Sequence, residues 1–344
     1  MQLGIFCTLD HYPDLGIPPR GMYRRAIEEA VLAEDVGLES FWITEHHFSD
    51  YGIVPEPSLL LCAIAERTER LRLGTATAVL PFDHPLRAAE RYALLDQLSG
   101  GRLEFGAGAG YLQYEFAGFG LDPAERRTRF DETLAVIRRA WAGGPVAYAG
   151  RHIHVDSPPL NVRPLQAGGP PIHIGVTRPQ AAHFIGRQGH RLAIVPYIAL
   201  RNPDELADVI GAYRAALPAG AVGEVSAVFH CFCGAGPGDP DRAAAESALQ
   251  HYLRTRVVPG ARYTGDAICR DFVLIGDATA VEARLSAYAA MGVDRALLLT
   301  SFGGLAPSAV SASLQRLGGL ATPLARRGPA SGSPAHRPGP RAAP

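Results

Sequence analysis

The sequence predicts an α/β fold, a TIM-type (β/α)8 barrel. Three observations carry this expectation. Strand-like and helix-like patterns alternate from the first residues onward, giving about eight β/α units over ~300 residues. Apolar residues make up 47% and charged residues 19% of 344, enough to bury a large core. Glycines fall where helices should end, as at Gly100-Gly101. A doubly wound sheet is the structural rival, but it is usually built from fewer units.

Taken in order, residues 2–8 form an apolar, β-rich run. Residues 21–36 place Met22, Ala26, Ala30 and Ala33 on one helical face. Residues 40–44 read as strand, 59–67 as helix and 71–80 as a third strand. Residues 85–99 carry Leu86, Ala89, Ala93 and Leu98 as a stripe, and 103–107 form a fourth strand. Phe130, Leu134, Ile137 and Trp141 mark a helix over 124–141. Residues 143–171, rich in Gly and Pro, break the rhythm as an excursion with a hairpin near 148–155. Strands then fall at 172–175, 192–195, 225–232, 272–275 and 296–300. Helices fall between them at 179–187, 203–216, 239–252 and around Val281, Leu285 and Tyr288. The barrel domain is assigned to residues 1–325, and 326–344 to a disordered Pro/Arg/Ala-rich tail.

Composition narrows the function. The net charge of −1 gives no electrostatic case for nucleic acid or an anionic membrane as partner. No apolar run reaches the ~20 residues of a membrane span, and the first residues read as a strand rather than a secretory leader. Cys7, Cys62, Cys231, Cys233 and Cys269 are an odd, sparse set, which suggests a reducing cytoplasm. Every one of the 33 basic residues counted as Lys+Arg is Arg. The absence of Lys removes Schiff-base lysine enzymes and P-loop NTPases.

The sharpest motif is Trp42-Ile43-Thr44-Glu45-His46-His47-Phe48, at the end of the second strand. Barrel strands carry chemistry at their C-terminal ends, and an imidazole there can exchange a proton near neutral pH. The same residues would also serve as loop hydrogen-bond partners. A metal is not expected: neighbours on an extended chain point to opposite sides, and no third ligand is evident. His152 and His154 have the spacing of paired ligands but lie in the excursion, and Cys231 and Cys233 read as buried small hydrophobes. Gly106-Ala107-Gly108-Ala109-Gly110 fails the dinucleotide fingerprint because Tyr111 follows. Gly175-Val176-Thr177-Arg178-Pro179-Gln180 joins a strand to a helix whose free N–H groups suit a phosphate or plain capping.

These motifs together resemble the bacterial luciferase-like flavin-dependent monooxygenases. Glu45-His46-His47-Phe48 is similar to that family's signature. So are residues 73–81 with His84-Pro85, and residues 94–106. The likeness is close over 1–135 and colinear to about residue 320. It implies a two-component enzyme that receives reduced FMN from a separate flavin reductase and oxygenates a small hydrophobic substrate through a C4a-(hydro)peroxyflavin. His46 is the implied acid/base, with Glu45 and His47 orienting it. Ala76, Thr77, Gly108, Ala109, Gly175, Val176, Thr177 and Gln180 are the implied flavin contacts, with a non-prolyl cis peptide at Ala76–Thr77. The family's arginine near the fourth strand is Ala109 here, which sends the phosphate to the 175–180 loop. Phe6, Trp42, Phe48, Phe82, Tyr111 and Tyr197 are expected to line the mouth, and residues 234–270 to supply its lid. A homodimer through helices 59–67 and 85–99, with Ala-rich faces, is implied. Two alternatives stand beside this reading: an F420-dependent oxidoreductase on the same fold, and a non-catalytic flavin-binding protein.

Overall fold

The computed structural model describes residues 1–176, 178–256 and 265–326. Eight parallel strands close into a barrel: β1 (Gln2–Cys7), β2 (Ser40–Ile43), β3 (Arg72–Thr75), β4 (Leu103–Gly108), β5 (Ile172–Val176), β6 (Arg191–Ile194), β7 (Val225–Gly234) and β8 (Arg295–Leu299). Each pairs with its sequence neighbour, and β8 closes on β1 with Gln2 opposite Arg295. Every residue of β2, β4, β7 and β8 is buried, as expected for a parallel sheet covered on its outer face by helices. An extra strand, Val273–Asp277, runs along the C-terminal half of β7.

The helical stripes pack inward. Ala26, Ala30 and Ala33 of Pro19–Asp35 are buried, as are Ala88, Ala89 and Ala93 of Pro85–Leu98. The small faces of Pro85–Leu98 are thus spent on the barrel, and that helix turns Leu94 and Leu98 outward instead, with Leu59 exposed on Pro57–Ala65. The excursion forms the hairpin Val146–Ala149 with His154–Ser157. Its turn is fastened by the Glu132 carboxyl group, which accepts from the backbone of Arg151, His152 and Ile153 at 2.8–2.9 Å.

Three departures from the sequence expectation have physical causes. The third strand is not continuous: it stops at Thr75, passes a cis Ala76–Thr77 peptide and resumes at Ala78–Val79. Gly106 permits this, since a Cβ there would lie 1.9 Å from the Thr75 carbonyl oxygen. A final helix, Pro307–Arg326, has no counterpart in the pattern reading because Gly318, Gly319 and serines dilute its helical signal. Gly318 is what seats it: a Cβ would lie 2.5 Å from the carbonyl of Val36, at the end of the first helix. Part of the stretch after residue 252, read as irregular, is helical, with Pro240–Arg256 longer than expected and Gly265–Phe272 a further helix. Residues 327–344, assigned to the tail, lie outside the described residues, and among those described no helix is long and apolar enough to cross a membrane.

The N-terminal end of the barrel is plugged by charge. Glu104 bonds His173 Nε2 at 2.6 Å and Arg191 at 3.0 Å, and also pairs with Arg72. Arg295, 1% exposed, pairs with Glu39 at 3.1 Å and Glu224 at 2.7 Å. Burial alone would raise the Glu104 carboxyl. The His173 hydrogen bond and the Arg295 and Arg72 guanidinium groups outweigh it and hold Glu104 well below the carboxylate range.

Candidate active site

At the opposite end, the C-terminal ends of the strands surround a cavity of about 380 Å3. Its floor includes Trp42, whose ring lies against β3 because Gly74 has no side chain; a Cβ there would be 2.0 Å from the indole. Phe6, Tyr51, Tyr111, Tyr197 and Tyr252 form much of the wall.

The Glu45-His46-His47-Phe48 segment divides between two environments. Glu45 and His46 face the cavity. His46 is 9% exposed, and its Nδ1 donates to Glu115 Oε1 at 3.1 Å. Glu115 is 1% exposed and also accepts from the His47 backbone N–H at 3.0 Å. With Nδ1 occupied, Nε2 is the ring nitrogen left for a ligand. Glu45 does not bond His46: one oxygen meets His47 Nε2 at 3.1 Å and the other the Val79 N–H at 3.1 Å, pinning the chain just past the cis peptide. Burial raises the Glu45 carboxyl, with the bonds from His47 and Val79 opposing. His47 turns away from the cavity into an aromatic cluster with Phe48, Phe82 and Phe119. The residue that orients His46 is therefore Glu115, not Glu45 or His47. It lies on the short helix Gln113–Gly118, 69 positions away in sequence.

Of the expected flavin contacts, Ala76, Thr77, Gly108, Ala109, Gly175 and Val176 line the cavity. Gln180 is exposed and does not; Ala181, one residue on, does. Thr177 lies outside the described residues. Gly108 makes room first for protein: a Cβ there would be 2.2 Å from Thr77 Oγ1. Three arginines border the cavity that the motif reading did not select: Arg126, Arg127 and Arg178. Arg127 pairs with Asp131 at 3.1 Å, whereas Arg126 bonds the Pro123 carbonyl at 3.2 Å. Arg178 precedes the helix Pro179–Arg187 as its N-cap residue. They place positive charge beside the helix N-terminus, where an anionic group is favoured.

Phe6, Trp42, Tyr111 and Tyr197 line the cavity as expected, but Phe48 and Phe82 do not. Phe48 is 64% exposed and packs on Phe119, which in turn stacks on Phe82 on the flank. Tyr51 and Tyr252 were not singled out by sequence. Tyr111 donates to Tyr51 at 3.3 Å, and Tyr252 lies 3.3 Å from Tyr197, oxygen to oxygen. His152 is engaged by Thr128 at 2.8 Å, on the outer helix Arg126–Ala142. Among the described residues no group of three or more side chains could hold a metal. Cys231 and Cys233 are buried and free, with thiols raised by burial.

The His46–Glu115 pair thus stands at the C-terminal mouth of a closed parallel barrel, the end at which such barrels carry their sites. The profile of the luciferase-like monooxygenases matches residues 1–295, and the chain belongs to that family. A 4-hydroxyprotoasukamycin monooxygenase of Streptomyces nodosus subsp. asukaensis is 36% identical over 191 residues, 55% of this chain and 51% of that protein. The oxygenase component of a flavin-dependent trigonelline monooxygenase of Acinetobacter baylyi is 28% identical over 198 residues, 57% and 54% of the two. The aligned region thus spans about half the length of the curated relatives it matches. Among solved structures, the monooxygenase RslO1 of Streptomyces bottropensis superposes with a TM-score of 0.83 at 26% identity, over 94% of this chain and 99% of that one. The oxygenating constituent of 3,6-diketocamphane monooxygenase of Pseudomonas putida, in complex with FMN, superposes at 0.82 with 19% identity, over 94% and 98%.

Proposed function

We propose that the chain is the oxygenase of a two-component flavin monooxygenase, taking reduced FMN from a separate reductase and adding one oxygen atom of O2 to a small hydrophobic substrate. The observation that carries this reading is the convergence, on one apolar cavity, of the His46–Glu115 pair, the Ala76–Thr77 backbone and three arginines. The residues fit such a cofactor. Small residues at 76, 77, 108 and 175 leave a flat wall for a ring, and Arg126, Arg127 and Arg178 flank a helix N-terminus suited to a phosphate. Arg126 or Arg178 would take over from the arginine that Ala109 replaces. Reduced FMN, when bound, supplies the two electrons that activate O2, one oxygen atom going to substrate and the other to water.

The side chains supply position, protons and dryness. Glu115 fixes the His46 ring so that Nε2 can accept or return a proton at the reacting centre. Glu45 holds the backbone at Val79, and with it the wall against which the ring would lie. Phe6, Trp42 and Tyr111 exclude water, which would otherwise divert the reaction to hydrogen peroxide. The exposed Leu59, Leu94 and Leu98, on the helices Pro57–Ala65 and Pro85–Leu98, support a homodimer through that face. Anaerobic calorimetry tests the reading. Reduced FMN is expected to bind more tightly than oxidised FMN. Arg126→Ala combined with Arg178→Ala should weaken FMN about tenfold while leaving riboflavin, which has no phosphate, unchanged. Micromolar binding of F420 with none of reduced FMN would overturn the assignment.

A further inference from the structure

Behind the main cavity lies a second, smaller chamber of about 50 Å3, between the end of β1, the helix Pro19–Asp35 and the loop after β8. Asp10, Tyr12, Glu29 and Ser301 give it a polar lining, and its outer wall includes Leu15 and Arg25, which reach solvent. Its volume exceeds the ~10–15 Å3 that one water requires.

Two carboxyl groups face this space from nearly complete burial: Asp10 is 6% and Glu29 5% exposed. Neither is fully satisfied. Asp10 Oδ1 and Glu29 Oε1 are buried without a well-formed hydrogen bond among the described residues, although the Thr8 hydroxyl approaches Asp10 and the Ser301 hydroxyl approaches Glu29. Glu104 in the plug, by contrast, has both oxygens paired, and Glu39 and Glu224 have arginine beside their free ones. Unpaired buried oxygens around a chamber of this size point to bound water. Two acids are too few for a metal, and no group of three or more possible ligands occurs among the described residues.

On its inner side the chamber adjoins the main cavity across the end of β1, where Thr8 lines that cavity and Asp10, two residues on, lines this one. Asp10 feels the charges of Arg256 and His46 and receives the Tyr12 hydroxyl at 3.4 Å, and Tyr51, Tyr197 and Tyr252 of the main cavity feel the charge of Asp10. Glu29 is faced by Arg25, Glu28 and Ser301, and the buried Cys7 thiol borders both acids. Burial raises Asp10 to about 6, and Glu29 to about 7. Both groups therefore change protonation close to neutral pH.

We propose that this chamber is a hydrated proton relay, passing protons between solvent at Arg25 and the His46 side of the main cavity by way of Glu29 and Asp10. It rests on the reading of the main cavity as a site that needs protons delivered without flooding it with water. In each passage bulk water protonates Glu29, Glu29 gives one proton to the chamber water, and that water gives one to Asp10. Asp10 releases its proton towards the main cavity. Every group gains one proton and loses one, so the relay ends as it began.

The test has two arms on the full chain. Infrared titration without cofactor should show a protonated-carboxyl absorption that titrates near pH 6 to 7 and shifts in heavy water. Asp10→Asn should remove its lower component and Glu29→Gln its upper one. Absorptions that do not titrate, or do not respond to heavy water, overturn the proposal. The second arm follows the pH dependence of hydrogen peroxide release from reduced FMN and O2. Asp10→Asn, Glu29→Gln and Ala26→Leu, which fills the chamber while keeping both acids, should each flatten the step between about pH 6 and 7. Profiles identical to wild type in all three overturn the relay. A chain that takes up no reduced FMN would instead overturn the functional reading, and the infrared arm reads the chamber regardless.

Discussion

Among the described residues the barrel holds two buried histidine–carboxyl pairs, one at each end, in contrasting surroundings. At the bottom, His173 and Glu104 meet at 2.6 Å with His173 fully buried, and arginines take the remaining positions on Glu104. At the top, His46 and Glu115 meet at 3.1 Å and the imidazole borders a cavity. Trp42 stands between them: its ring meets His173 edge-on at 4.9 Å and lies 5.4 Å from the Arg295 guanidinium, while it lines the cavity above. In both pairs one imidazole nitrogen has no partner, but that of His173 is sealed in the plug among charged side chains, whereas His46 borders an open cavity. What distinguishes them is the company each pair keeps, which matches the general division of a barrel into a stabilising and a reacting face.

Breaking the bottom pair should cost the most stability. Glu104→Gln leaves Arg295 and Arg72 short of a carboxylate in a buried setting, for which a loss of about 3–5 kcal/mol is expected. Chemical denaturation would show it as a lower midpoint with an unchanged slope. Gly74→Ala attacks the partition, since the new methyl would overlap the Trp42 ring; about 1–3 kcal/mol is expected, with a perturbed tryptophan fluorescence. The smallest effect concerns pH. Burial lowers His173 from 6.5 to about 4, so the unfolded chain takes up a proton in that window and the folded one does not. Stability contributed by this group is present above about pH 6.5 and is lost as pH falls towards 4. Melting temperatures of His173→Asn should therefore fall less steeply across that interval than those of wild type.

The sequence made one of the two ends legible. Glu45-His46 could be placed at a strand end because periodicity and glycine caps fix where strands stop, and Ala76–Thr77 followed from a resemblance in register. Glu115 could not, because nothing local ties it to His46; the one hint is that Tyr111 and Glu115 stand four apart just beyond β4. Arg126 was hidden for a similar reason, and Arg178, though inside the quoted 175–180 loop, was not selected, since an arginine near a helix start looks like ordinary solvated charge until the fold brings two such starts to one rim. Phe48 misled because an aromatic beside a catalytic motif suggests the pocket, yet its backbone takes φ +58° and swings the ring to the flank. The bottom plug was equally invisible, as its charges sit singly at or beside the starts of separate strands and form a network only when the barrel closes.

The most direct measurement of this division of labour compares His46→Ala with wild type for reduced-FMN affinity, melting temperature and product formation. Positioned acid–base catalysis is worth ~10²–10⁴-fold. The account predicts product formation down by at least about 10²-fold, flavin affinity kept within about threefold and melting temperature within about 2 °C. Turnover at the wild-type rate, or a loss of stability matching that of Glu104→Gln, would show His46 to be a second structural histidine and contradict the account.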